Sequence, residues 1–85
     1  MLQVNAFAQR YPVLVEYELM ERCISGDARS RGYNTHDALQ VFCACTIEEA
    51  QKKVKYKAML KKPERFAEAF RKAQDKCSKR PKGRR

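Results

Sequence analysis

Tryptophan is absent from this 85-residue chain, histidine occurs once, and glycine and proline occur three times each. The three glycines, Gly26, Gly32 and Gly83, stand apart from one another, so there is no glycine-rich loop to cradle a phosphate. The single histidine, His36, and the scattered carboxylates supply no nucleophile, base and orienting group in sequence-readable order, and the chain reads as non-enzymatic. No run of about 18 apolar residues occurs, so no segment reads as a membrane span and no membrane partner is expected. Met1-Leu2-Gln3-Val4-Asn5 lacks the basic segment and following apolar stretch of an export signal, which predicts a cytoplasmic protein. In that compartment Cys23, Cys43, Cys45 and Cys77 are expected as reduced thiols. Cys43-Ala44-Cys45 also lacks the ligand-pair spacing of structural zinc sites, so neither metal nor other cofactor is implied.

Positive charge is abundant instead. The chain has 19 Lys and Arg against 10 Asp and Glu, and the excess is confined to one half. Residues 1–45 hold four basic and five acidic side chains, a balance of −1, whereas residues 46–85 hold fifteen basic and five acidic ones, a balance of +10. A field of one sign over part of a surface attracts polyanions, whatever the fold beneath it.

The length suits one modest core, and the patterning predicts an all-α bundle of three to four helices over 1–77 with a disordered basic tail over 78–85. Pro12 and Gly26 bracket a first helix, with Val13, Tyr17, Met20 and Ile24 as its apolar stripe and Glu18, Glu21, Arg22 and Ser25 as its polar one. Asn5 to Tyr11 suggests a short turn of helix before it. Residues 26–34 read as a loop, and Asn34 as the cap of a second helix through the apolar run 38–45. Thr46-Ile47-Glu48-Glu49 has capping-box spacing, which either opens a new helix or lies inside a continuous one along Leu39, Cys43, Ile47, Ala50, Val54 and Ala58. Pro63 opens a last helix whose apolar face is Phe66, Phe70, Ala73 and Cys77. Period-two alternation at 13–19, 39–42 and 53–58 leaves 13–19, 38–45 and 53–58 open to a strand reading and supports an α+β alternative, a short sheet with two C-terminal helices.

The charge points to nucleic acid, DNA or RNA, as the partner. An ordered body presenting Lys52, Lys53, Lys55, Lys57, Lys61 and Lys62 would carry contact, and a mobile arm with Lys79, Arg80, Lys82, Arg84 and Arg85 would add affinity by counterion release. Arg29 and Arg31 beside Tyr33 form a second candidate contact, since a guanidinium binds phosphate bidentately or stacks on bases. The plainer readings are a solvated loop for Arg29–Tyr33 and a solubilising tail for the arm. On a helical wheel Tyr56, Met59 and Leu60 oppose the Ile47, Ala50, Val54 stripe, so they are read as a partner-binding face, or as a second buried face. This face, with the acidic Glu16, Glu18 and Glu21, supports the rival function of an adaptor or inhibitor docked on a larger nucleic-acid-processing protein. A ribosomal or packaging role shares the same charge signature.

Overall fold

The computed structural model describes residues 10–79, which form four α-helices and, among the described residues, no strand. Helix α1 spans Val13–Arg22 and continues without a break through a π-helical turn at Cys23–Asp27 and a last α turn at Ala28–Ser30. Helix α2 spans His36–Lys53, α3 Tyr56–Lys61 and α4 Pro63–Ser78. The all-α expectation holds, and the segments 13–19 and 38–45, which could have been strands, lie inside helices. Within the third such segment, 53–58, Val54 and Lys55 have extended backbone and form the joint between α2 and α3.

Local chemistry sets the boundaries, in places one signal away from those read in the sequence. Gly26 does not stop the first helix, because the chain there widens into a π turn and the Ala28 N–H reaches back to the Cys23 carbonyl. This five-residue register puts both Cys23 and Ala28 in the core, where α spacing would have turned residue 28 aside. The stop is Gly32, at φ +100°. Gly32 N–H donates to the Arg29 carbonyl at 3.0 Å and Tyr33 N–H to the Ala28 carbonyl at 3.1 Å, a Schellman end with Tyr33 and Ala28 buried together. So residues 26–30, expected in a loop, are helical. The cap of α2 is Thr35 and not Asn34: its Oγ1 accepts from Ala38 N–H at 3.2 Å. The capping-box reading of Thr46 resolves in favour of one continuous helix, with the Thr46 hydroxyl fully buried and donating to the Phe42 carbonyl at 2.9 Å. Pro63 does open α4, after a Lys62 whose backbone is non-helical at φ −132° and ψ 76°. Ser78, assigned in the sequence to the tail, is the last residue of α4. The expected turn at Asn5 to Gln9 and the basic arm from Arg80 lie outside the described residues, while Arg10 and Tyr11 are not helical.

α2 is the central element. Two residues apart on a helix, Cys43 and Cys45 are rotated by about 200°. They therefore face opposite neighbours, and each forms a disulfide: Cys23–Cys43 ties α1 to α2, and Cys45–Cys77 ties α2 to α4. The expectation of reduced thiols is corrected here. Spacing along the chain carried no sign of these pairs, because the partners are 20 and 32 residues apart and meet only once the helices pack antiparallel. The core around the first disulfide is Cys23, Ala28, Tyr33, Leu39, Phe42, Cys43 and Cys77, with the Tyr33 and Phe42 rings stacked at 4.4 Å.

Glu16 and Cys23 of α1 bond directly to α2, and of the expected apolar stripe only Met20 and Ile24 pack against the core. Glu16 accepts from Gln51 Nε2 at 2.6 Å and pairs with Arg10 at 3.0 Å, while Val13 and Tyr17 are left outside. At the far end Tyr11 is buried, its N–H donating to Gln51 Oε1 at 2.9 Å and its hydroxyl to the Val54 carbonyl. Burial pushes its pKa up to about 12. Tyr11 also joins a row of rings, with Tyr56 at 5.4 Å and Phe66 at 5.9 Å, and Phe66 meets Phe70 at 5.5 Å.

Candidate nucleic-acid interface

Lysine and arginine stems can cross apolar surface while their heads stay in water, so cations collect on the outward faces of these helices. Lys52, Lys53, Lys55, Lys57, Lys61 and Lys62 are all exposed, on the C-terminal end of α2, the joint and α3. Lys52 is 3.6 Å from a Glu49 carboxylate oxygen. The other five have no acidic partner among the described residues.

Arg29, Arg31 and Lys79 lie elsewhere. The end of the first helical rod sits beside the C-terminal end of α4, about 22 Å along that helix from Lys62. Arg29 is exposed there, but Arg31 is half-buried and its guanidinium is engaged with α4: it donates to Ser78 Oγ at 3.2 Å, Gln74 Oε1 at 3.3 Å and Asp75 Oδ1 at 3.0 Å. Arg31 thus fastens the turn after Ser30 to α4. Gln74, buried, also donates to Asp27 Oδ2 at 2.8 Å and so ties the π turn to the same helix. The face read as partner-binding divides, since Tyr56 packs on Tyr11, Met59 is half-buried and Leu60 is exposed. The largest exposed apolar side chains of α1 are Val13, Leu14 and Tyr17, within little more than one turn.

Between the two groups of cations runs a stripe that sequence reading passed over. Arg65, Ala69, Lys72 and Lys76 recur at the same i, i+4, i+7, i+11 spacing as Phe66, Phe70, Ala73 and Cys77, displaced by one residue, and that spacing was the available signal. Packed against the end of α2, the stripe forms one wall of a groove of about 380 Å³. Lys53, Arg65, Lys72 and Lys76 supply its cations, Val54, Ala69 and Ala73 its apolar lining. Glu49, buried at its edge, lies 3.0 Å from Lys76 Nζ, and Glu68 lies 3.7 Å from Lys72 Nζ. The Lys76 hydrogen bond, helped by the nearby Lys52 charge, holds the Glu49 carboxyl below its ordinary pKa against the opposing effect of burial. Glu49 is therefore an anion at neutral pH that anchors Lys76 at the groove and Lys52 outside it.

A second groove, of about 370 Å³, lies between α1 and α4, with Leu19, Cys23, Phe66 and Phe70 inside and Arg22 and Arg71 among its lining residues. No protein-family model, curated protein or solved structure matches this chain. Its function rests on its own geometry.

Proposed function

We propose that this protein is a non-enzymatic nucleic-acid-binding protein whose ordered contact surface runs from Lys53 through α3 to the cationic stripe of α4. The observation that carries this reading is the +10 balance of residues 46–85, of which Lys53, Lys55, Lys57, Lys61, Lys62 and Arg65 are exposed and have no acidic partner among the described residues. Arg80, Lys82, Arg84 and Arg85 extend the surface in sequence and add counterion release. Arg31 directs three hydrogen bonds and an ion pair with Asp75 into α4 and is left out of the contact set. The cytoplasmic setting is expected from the lack of an export signal and implies reduced cysteines. Paired cysteines persist instead in oxidising surroundings, and binding is proposed for such a compartment.

Gel-shift titration of the oxidised protein with DNA and RNA at several salt concentrations tests this. Four to six phosphate contacts give a log–log salt slope of about −3 to −5. Absence of binding at low salt, or a flat salt response, sinks the proposal. The rival reading, an adaptor docked on a protein, draws on the exposed Val13, Leu14 and Tyr17. It gains if Leu14→Ser abolishes capture of a partner while nucleic-acid binding is absent.

A further inference from the structure

The groove between α2 and α4 combines features that a nonspecific lysine surface does not need. Its apolar lining of Val54, Ala69 and Ala73 is set among four cations and two carboxylates, a net +2. At about 380 Å³ it falls in the size range of small-ligand pockets, about 300–1,000 Å³. Lys72 and Lys76 are held in position by Glu68 and Glu49, whereas Lys53 and Arg65 face the groove with no acidic partner among the described residues. Neither residues 1–9 nor 80–85 contain an Asp or Glu that would supply the missing countercharge from within the chain.

Resting on the nucleic-acid reading, we infer that this groove takes one unpaired nucleotide of a single strand, its phosphate between Lys53 and Arg65 and its base against Val54, Ala69 and Ala73. A duplex keeps its bases stacked inside and presents phosphates on the outside of a broad cylinder, so it meets the exposed lysines without entering a recess between two packed helices. An unpaired nucleotide carries an apolar-faced ring and an anion on one unit, matching an apolar lining bordered by cations. The Arg65 guanidinium can serve either part, by pairing with phosphate or by lying flat on the base. The selectivity follows from the groove, and general affinity from the lysines of α3.

The test compares a short single-stranded oligonucleotide with the duplex of the same sequence, on the oxidised full chain, by fluorescence anisotropy. Ala69→Trp fills the groove without removing a cation, and Arg65→Gln removes one cation without filling it; both are checked for disulfides and melting temperature. The inference expects the single strand to bind about tenfold more tightly than the duplex, and Ala69→Trp to erase that preference by weakening the single strand more than the duplex. Arg65→Gln is expected to weaken the single strand more than the duplex. Equal binding of both by the unaltered protein overturns the groove assignment but leaves the proposed function standing. So does an Ala69→Trp protein that melts normally and keeps its single-strand preference. Should neither nucleic acid bind at low salt, the function itself fails and the groove assignment with it. Anionic phospholipid vesicles that compete as well as the single strand would also overturn the assignment.

Discussion

The Glu49 carboxylate lies 3.0 Å from Lys76 Nζ and 3.6 Å from Lys52 Nζ, on a side chain that is otherwise covered. In the sequence the same residue belongs to a Thr-x-x-Glu pattern, which describes a helix start equally well. Local spacing does not separate the two roles, because it takes α4 lying across α2 to bring Lys76 within reach from 27 residues away. The ion pairs make Glu49 a stabilising residue with a definite pH signature. Its folded pKa lies below the ordinary 4.5, so its contribution is present above that value and is lost as pH falls through the folded pKa. Glu49→Gln is expected to cost about 1–2 kcal/mol at neutral pH. The gap between variant and parent should narrow as pH falls below 4.5, as read by urea unfolding at neutral pH and in acid. A gap of constant size across that range would show that the charge is not what stabilises.

At the scale of elements, the first helical rod contains two glycines with opposite roles. Gly26 sits inside the π turn with a negative φ, and a Cβ added there would meet nothing within 4 Å. Gly32 occupies the left-handed position of the Schellman end, at φ +100°, where an L side chain is strained even though space is open. Gly26→Ala is therefore expected to stabilise by about 0.5–1 kcal/mol, and Gly32→Ala to destabilise by about 1 kcal/mol. Thermal melts of the two variants check both signs, and stabilisation by Gly32→Ala would refute the assigned helix end. Composition alone marked both glycines as breakers. What distinguishes them is the π register, which depends on Cys23 and Ala28 both being drawn into the core. The last helix shows the opposite case: Pro63 and the Phe66, Phe70, Ala73, Cys77 spacing define it locally, and it folds where the sequence places it. Even there, Ala73 and Cys77 are buried while Phe66 and Phe70 stay half-covered, because they border the gap between α1 and α4.

For the molecule as a whole, the two disulfides join all three long helices through α2. Closing loops of 20 and 32 residues is worth about 3 and about 4 kcal/mol in the chain-entropy model. Together these are comparable with the whole stability of a chain this long, about 4–13 kcal/mol. Full reduction should abolish cooperative melting and most of the helical circular dichroism. Cys45 is half-buried, whereas Cys23 and Cys43 are fully enclosed, so limited reduction should open Cys45–Cys77 first. Alkylation at short reduction times and peptide mapping read that order, and earlier loss of Cys23–Cys43 would contradict it. By itself the sequence determined the helical class, the start of α4 and the confinement of positive charge to one half, since all of these follow from near-neighbour spacing and composition. Only the tertiary structure decided the cysteine pairing, the tie of Arg31 to α4, the burial of Glu49 and the groove beside it. Each of these needs side chains far apart in the chain to meet across packed helices, and the Cys43-Ala44-Cys45 spacing takes on meaning only when α2 has a neighbour on either side.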